Sequence, residues 1–195
     1  MKKITPSKVN FYNMLYEDIA NILDKKKDIF LDLGCGHAQL AMDFKPINYI
    51  GIDLNKLQIE KNITNYPEYS FYNKDINNLD LSKKADFVVC VECLGINLSY
   101  DNSKLNKFFN EVFKNINQNA SICFNIEKGL YLENKEFFNK LSINFKKTKI
   151  VNYGFFFERK SFFMLKLCYL LEVIFTKLKL IKGKFFYIVL ENYQS

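Results

Sequence analysis

Glycine and proline are scarce in this sequence, at 7 and 3 of 195 residues, so long flexible linkers are not expected. No uninterrupted apolar run approaches the roughly 18 residues that a membrane-spanning helix needs. The nearest candidate, residues 161–181, is interrupted by charges, namely Lys166, Glu172, Lys177 and Lys179. There is also only one histidine, His37, and no partner for a catalytic triad is evident. We therefore expect neither a spanning helix nor triad chemistry.

Disulfides and metal sites are also unexpected. The chain has five cysteines, and its charged start is followed by no apolar stretch typical of a secretory signal. Free thiols in a reducing cytoplasm are the simplest interpretation. Cys90 and Cys93 form a C-x-x-C pair, but Cys90 lies in an apolar segment and no second pair completes a zinc site. We expect buried thiols and no metal ion.

The composition is that of a globular protein, with 49% hydrophobic residues. The net charge of +7 is compatible with nucleic acid or anionic membrane as a partner. The lysines are spread along the chain, however, with short runs only at 25–27 and 146–149. General surface charge is therefore the favoured interpretation, and the two charged partners remain alternatives.

Short apolar runs alternate with segments of helical periodicity along the whole chain. We predict strands at 29–33, 49–53, 69–72, 85–91, 120–126, 147–153 and 185–191, and helices at 10–23, 37–44, 55–65, 103–116 and 135–143. Because the runs are continuously apolar, the sheet should be mostly parallel, with helices on both faces. The prediction is a doubly wound, seven-stranded α/β fold in one domain, 1–195, with a helical insertion at 154–184.

Acidic, glycine and apolar residues lie at the carboxyl ends of the first four predicted strands, where such sheets bind ligands. They are Asp32, Gly34, Cys35 and Gly36 at the end of the first strand, Asp53 and Leu54 at the second, Asp75 and Ile76 at the third, and Val91 and Glu92 at the fourth. Glycines allow a tight turn and close backbone approach, and the following helix offers free N–H groups to a carboxylate.

The individual side chains suit a nucleoside-like ligand. Asp53 can accept both hydroxyls of a ribose, Leu54 and Ile76 can cover the faces of a purine, and Asp75 can accept from its exocyclic amine. Asp32 suits a cationic ammonium group. An NAD-binding domain is disfavoured because Gln39 stands where its fingerprint needs a third glycine. A flavodoxin-like domain with incidental acids at its strand ends is a further alternative.

The motifs resemble those of the class I, Rossmann-like S-adenosylmethionine-dependent methyltransferases. Residues 31–36 (LDLGCG) resemble the first motif, 51–53 (GID) the second, 74–76 (KDI) the third and 85–90 the approach to the fourth. The resemblance covers about residues 10–126. It implies binding of S-adenosyl-L-methionine, with S-adenosyl-L-homocysteine as product, by Asp32, Gly34, Gly36, Asp53, Asp75 and Ile76. One departure is Ala38, where the family usually has a third glycine.

Several residues near this site have open roles. Glu92 is the best candidate for a catalytic base, with a solvated loop acid as the alternative. His37 is expected to line the cofactor. Tyr12 and Tyr16 lie on the first predicted helix, which in the resembling family often covers the cofactor; simple packing is the alternative.

The methyl acceptor is the least determined feature. Nucleic-acid amine enzymes of the family carry an Asn/Asp-Pro-Pro-aromatic run where this chain has residues 92–97 (ECLGIN). A small-molecule, sugar or lipid-linked acceptor is therefore preferred over RNA. A non-catalytic partner subunit that binds the adenosyl ligand is the alternative from another class.

The insertion carries an apolar stripe at helical spacing, formed by Phe163, Leu167, Leu170, Ile174, Leu178 and Ile181. A stripe of this length is expected to bury against something. We consider three roles for it: closure of the core, a wall of the acceptor pocket, or peripheral membrane contact through 161–181.

Overall fold

The computed structural model describes residues 6–26, 28–94, 102–154, 162–178 and 185–194. Its strands are β1 Ile29–Leu33, β2 Asn48–Asp53, β3 Ser70–Asn73, β4 Ala85–Leu94, β5 Ile116–Glu127, β6 Phe145–Tyr153 and β7 Phe185–Tyr193. Its helices are α1 Pro6–Ile22, α2 Gln39–Phe44, α3 Lys56–Asn65, α4 Asn102–Lys114, α5 Lys128–Glu133, α6 Lys135–Ile143 and α7 Phe162–Leu178.

All seven strands form one sheet in the order β3-β2-β1-β4-β5-β7-β6. Strands β1 to β5 pair in parallel, whereas β7 runs antiparallel to both β5 and β6. The predicted mostly parallel, doubly wound α/β sheet is confirmed. The strand order reverses between β1 and β4, so their carboxyl ends flank the crevice in which such folds bind ligands.

The sheet separates two apolar cores, because successive residues of a strand point to opposite faces. Phe30, Val89 and Tyr187 belong to the core under α1, α2 and α3. Their neighbours Leu31, Val88 and Ile188 belong to the core under α4, α5 and α6. Burial on both faces explains why the strands have continuously apolar sequences.

The predicted boundary between the fourth helix and the fifth strand is wrong. The helix expected at 103–116 ends at Lys114, and Ile116 instead begins β5, where it pairs with Ala85. Asn115 ends the helix: its buried side-chain amide donates to the carbonyls of Glu111 and Leu79, at 2.8 and 3.2 Å. A side chain that satisfies local backbone groups in this way competes with further helical hydrogen bonds.

Two smaller differences concern helices beside the sheet. Helix α5, which follows β5 directly, was not predicted. The helix expected from His37 begins at Gln39, because Ala38 takes a left-handed conformation with φ of 56° and acts as the N-cap residue of α2.

The described part of the apolar stripe on α7 does not face the core of the domain. Leu170, Ile174 and Leu178 are 55%, 37% and 61% exposed, whereas Glu172 and Thr176 are buried. The polar side faces inward because it has polar partners there, described below. The side chains of Phe163 and Leu167, and residues Lys179 and Ile181, lie outside the described residues. None of the helices in the described part of the chain meets the length and hydropathy needed to span a bilayer.

Candidate functional site

The glycine-containing loop after β1 is fastened to the end of β2. The backbone N–H groups of Gly34 and Cys35 both donate to the carbonyl of Ile52, at 2.8 and 3.0 Å. The next N–H group, that of Gly36, donates to Oδ2 of Asp53 at 2.9 Å. The first two predicted signals, the loop and the acid after the second strand, are therefore in direct contact.

Gly34 also marks the contact between β1 and β4. It has φ of 74°, and a Cβ at this position would lie 2.5 Å from Sγ of Cys93. The Cys93 thiol donates to the carbonyl of Leu33 at 2.9 Å, which holds the end of β4 against the end of β1. A residue larger than glycine is excluded here on both conformational and steric grounds.

The third strand end is joined to the second by Asn73. Its side-chain amide donates to the carbonyls of Asp53 and Leu54, at 3.0 and 2.9 Å. Asp75 follows two residues later, is exposed, and accepts from the backbone N–H of Asn77 through Oδ1 at 2.8 Å. Leu54 is 63% exposed and Ile76 is half-buried, so both apolar side chains border the same open edge.

Asp32 is the buried acid of this site. Its Oδ2 accepts a hydrogen bond from the hydroxyl of Tyr49 at 2.6 Å. Burial raises the pKa of the Asp32 carboxyl to about 7, with a smaller upward contribution from Asp53, while the Tyr49 bond acts in the opposite direction. A cation placed near Asp32 would favour its ionised form.

Helix α1 packs beside the glycine loop through its tyrosines. The hydroxyl of Tyr16 donates to Asp43 of α2, and its ring lies 5.0 Å from that of Phe44. The ring of Tyr12 contacts those of Phe11 and Tyr16. His37, on the loop itself, is exposed. The two tyrosines thus take part in helix packing next to the loop.

Glu92 lies on the other side of the crevice, where β4 departs from regular pairing. The register with β5 shifts between Cys90 and Leu94, and Glu92 has φ of 57°, which is unusual for a residue with a side chain. Its backbone N–H donates to Oδ1 of Asn125 at 2.7 Å, and Nδ2 of Asn125 donates to the hydroxyl of Tyr153 at 3.0 Å. Non-glycine residues in such conformations cluster at functional sites.

The structure places every predicted site residue at this edge, in two groups. The loop and the ends of β2 and β3 hold Asp32, Gly34, Cys35, Gly36, Asp53, Leu54, Asp75 and Ile76, and the end of β4 holds Val91 and Glu92. Residues 95–97 of the run after Glu92 lie outside the described residues.

Four residues that support the site through hydrogen bonds were not predicted from the sequence: Tyr49, Asn62, Asn125 and Tyr153. Asn62 on α3 is almost fully buried, and its amide donates to the carbonyl of Gly36 at 2.8 Å. A sequence signal existed for Asn125, because it is the single polar residue in the apolar run 122–126. Tyr49 and Tyr153 carry no comparable signal, since tyrosine is common in strands.

The four cysteines with described side chains are buried or half-buried. Cys35, Cys90, Cys93 and Cys123 are free, and burial raises the pKa of the Cys35 and Cys90 thiols. Within the described ranges, no group of three or more histidine, cysteine or acidic side chains could hold a metal ion.

The fold is shared with solved methyltransferase structures of low sequence identity. The N-methyltransferase NodS from Bradyrhizobium japonicum WM9, in complex with S-adenosyl-L-homocysteine, has a TM-score of 0.63 and 12% identity, over 96% of this chain and 88% of that one. An rRNA methylase from Streptococcus thermophilus has a TM-score of 0.58 and 11% identity, over 94% and 96%. Magnesium protoporphyrin IX methyltransferase from Synechocystis PCC 6803, with bound S-adenosylmethionine, has a TM-score of 0.59 and 12% identity, over 96% of this chain and 81% of that one.

Sequence comparison gives the family directly. No curated protein matches the chain. The family model described as a methyltransferase domain matches residues 24–160, which include the glycine loop, the ends of β2 to β4 and the Asn125–Tyr153 pair. The chain therefore belongs to the methyltransferase-domain family, and its resemblance to the class I S-adenosylmethionine-dependent methyltransferases is confirmed.

Proposed function

We propose that residues 1–195 form one catalytic domain that transfers a methyl group from S-adenosyl-L-methionine to a small-molecule, sugar or lipid-linked acceptor in the cytoplasm. One observation carries the proposal: the glycine loop is bonded to the carboxylate of Asp53, at the edge where the ends of β1 to β4 meet. A loop in contact with a strand-end acid is suited to a ligand that combines an amino acid with a ribose.

The cofactor roles follow from the position of each residue. Asp53 would accept the ribose hydroxyls, since a carboxylate has lone pairs beyond those used by Gly36 and Asn55. Leu54 and Ile76 would cover the purine, and Asp75 would accept from its amine. The backbone at Gly34, Cys35 and Gly36 would lie against the amino-acid part, and Asp32 would attract its ammonium group. Val91, near the end of β4, would close that side of the cofactor site.

The chemistry needs little from the protein beyond placement. The cofactor supplies a methyl group activated on a sulfonium, and an acceptor lone pair forms the new bond as the carbon–sulfur bond breaks. Orientation and exclusion of water by the surrounding chain account for most of the expected acceleration. A hydroxyl acceptor must also lose a proton, and Glu92, at the end of β4, would take it.

Glu92 gives the sharpest test of this mechanism. Glu92→Gln should lower turnover about a hundredfold, because the amide cannot accept the proton, while the cofactor affinity stays nearly unchanged. Glu60→Gln, which alters an exposed acid on α3, is the control and should leave turnover unchanged. Unaltered turnover of the Glu92 variant would remove it from the mechanism.

RNA is the second candidate acceptor. The net charge of +7 favours it, and an rRNA methylase is among the proteins with this fold. Against it, the residues after Glu92 lack the Asn/Asp-Pro-Pro-aromatic run of amine-directed nucleic-acid enzymes. Magnesium protoporphyrin IX methyltransferase shares the fold, and its name indicates an acceptor other than RNA.

One experiment distinguishes the acceptors. Cofactor labelled in its methyl group is incubated with the protein and a cell extract, which is then fractionated by size and by organic extraction. We expect label in the small-molecule or lipid fraction and none after omission of the protein. Label in large, ribonuclease-sensitive material would establish RNA instead. Cofactor binding without any transfer would favour a non-catalytic partner subunit.

A further inference from the structure

Helix α7 presents apolar side chains to solvent and polar side chains to the protein. Leu170, Ile174 and Leu178 are spaced four residues apart and are 55%, 37% and 61% exposed. On the other side of the helix, Glu172 is fully buried and Thr176 is 8% exposed. This is the reverse of the pattern of an ordinary surface helix, whose apolar stripe faces the core.

The rotation of α7 about its axis is fixed by polar contacts at three successive turns. Oε1 of Glu172 accepts the backbone N–H of Gly154 at 2.7 Å. Oγ1 of Thr176 accepts from the side-chain amide of Asn10 at 3.0 Å. The hydroxyl of Tyr169 accepts from the side-chain amide of Asn13 at 2.7 Å. Turning the helix to bury its leucines would break all three bonds, so the outer row stays exposed.

The exposed charge on the part of α7 with described side chains is positive. Lys177, beside the row, is the exposed charge among residues 169–178, since Glu172 is buried. In the sequence, residues 154–184 contain seven basic residues and two acidic ones, of which Glu172 is one. An apolar row with an adjacent exposed lysine, in a segment whose sequence is net basic, matches the surface of an anionic bilayer. A second copy of the chain would bring like charges together.

We propose that the outer face of α7, defined by Leu170, Ile174, Lys177 and Leu178, docks this protein onto anionic lipid bilayers. The helix of 17 residues is about 25 Å long and would lie in the plane of the headgroups, with its leucines at the acyl boundary. The lysines supply attraction that salt weakens, and the leucines supply attraction that salt does not weaken.

Docking through this face would bring the acceptor side of the crevice close to the lipid. Glu172 binds the N–H of Gly154, and the preceding residue is Tyr153, which is bonded to Asn125. Asn125 in turn binds the backbone of Glu92. This step rests on the proposed function: if Glu92 serves the acceptor, a lipid-linked acceptor would reach it from the docked surface.

The test is co-sedimentation of the full chain with phosphatidylcholine vesicles made with and without phosphatidylserine. Wild-type protein should bind the anionic vesicles at least about tenfold more tightly than the neutral ones, and less tightly as salt is raised. Leu170→Gln/Ile174→Gln should weaken this binding about tenfold or more, because two apolar insertions are lost. Lys177→Glu should weaken binding to anionic vesicles only.

The matched control is Ile47→Gln/Ile143→Gln, which removes two side chains that are 64% and 76% exposed elsewhere on the surface. Its vesicle binding should equal that of wild type within about twofold, since neither side chain lies on α7. Melting temperature and S-adenosylhomocysteine affinity are measured for every variant, which separates loss of docking from loss of the fold or of the proposed cofactor site.

Three results would overturn the docking proposal: no binding of wild type to anionic vesicles, equal binding by the α7 variant, or a dimer that the α7 variant dissociates in sedimentation velocity. The last result would assign this face to a second copy of the chain. Vesicle binding without methyl transfer would leave docking intact and contradict the proposed function alone.

Discussion

Asp32 shows how one buried side chain makes the site sensitive to pH. With its pKa near 7 in the fold and 3.8 as the ordinary value, the carboxyl is protonated in the native protein at pH values where the unfolded chain has already ionised. The ligand-free native state thus holds the extra proton, and its stability should fall as pH rises from about 4 to about 7. Tyr49, Asp53 and Cys35 are the titratable neighbours.

Ligand binding should show the opposite dependence. The ammonium and sulfonium of S-adenosylmethionine favour the ionised carboxylate, so the affinity should increase between about pH 6 and about pH 8 by up to roughly tenfold. Asp32→Asn keeps an acceptor for the Tyr49 hydroxyl and should flatten both the affinity profile and the stability profile. Titration calorimetry and thermal melts across this range measure them, and parallel profiles for variant and wild type would contradict the assignment.

Gly34 and Cys93 form a second residue-scale test. Gly34→Ala should destabilise the domain strongly, because its Cβ would meet the Cys93 sulfur at 2.5 Å. Adding Cys93→Ala removes that atom, so the double variant should retain the left-handed strain, on the order of 1–2 kcal/mol, together with the loss of the Cys93 thiol's bond to the Leu33 carbonyl.

Chemical unfolding of the four proteins in this cycle measures the coupling between the two sites. Purely additive effects would mean that the steric contact is not what requires a glycine here. Cys93→Ala alone loses the bond to the Leu33 carbonyl and should destabilise by about 1 kcal/mol.

At the scale of elements, periodicity predicted the strands and most helices because their apolar residues are matched by a core on the expected side. Periodicity gave a wrong prediction where contacts with residues distant in sequence determine the local structure. Ile116 continues the helical period of α4, yet it enters β5 because Ala85 is available to pair with it. The leucines of α7 form a convincing stripe, yet Asn10 and Gly154 hold the opposite side inward.

On α7, therefore, replacing an apolar residue of the outer row should cost little stability, whereas replacing a polar residue of the inner side should cost more. Leu170→Asp, which would unfold a domain that buried this residue, should change the stability by less than about 0.5 kcal/mol because the side chain is exposed. Glu172→Ala should destabilise by about 1–3 kcal/mol, since it leaves the buried N–H of Gly154 without its acceptor.

Glu172→Gln retains an acceptor oxygen for the Gly154 N–H, so its free energy of unfolding should be close to that of wild type. Denaturant unfolding of the three variants gives the ranking directly. A cooperative loss of folding in Leu170→Asp would show that the apolar stripe is part of the buried core. It would also contradict the docking surface proposed for α7.

At the scale of the whole molecule, the sheet gathers residues from distant parts of the chain at one edge. The predicted cofactor residues were found from sequence because each lies at or just after the carboxyl end of a predicted strand, and parallel strands end at the same edge. The four supporting residues, Tyr49, Asn62, Asn125 and Tyr153, were not predicted from the sequence, because they act through contacts between different helices and strands. Asn62 reaches the glycine loop from α3, and Asn125 joins β4 to β6. A local pattern can mark Asn125 as a polar residue within an apolar run, but it does not identify the partners of either asparagine.

This assembly predicts how ligand binding changes global stability. A ligand that binds only the folded chain stabilises it by about 2.7 kcal/mol at a hundredfold excess over its Kd. For a chain of this size, that corresponds to a rise in Tm of roughly 5–10 °C. S-adenosylhomocysteine should produce this rise in wild type. Asp53→Ala should abolish most of it, because two ribose hydroxyls lose their acceptor, which weakens binding by about 2 kcal/mol or more.

The same substitution also releases the N–H groups of Gly36 and Asn55, so the ligand-free Asp53→Ala protein should itself melt lower. The ligand-induced shift, not the absolute Tm, is therefore the quantity to compare. Glu136→Ala, an exposed acid on α6, is the control and should keep the full shift. An equal shift in the Asp53 variant would show that the ligand does not contact this carboxylate, and no shift in folded wild type would refute the cofactor site as a whole.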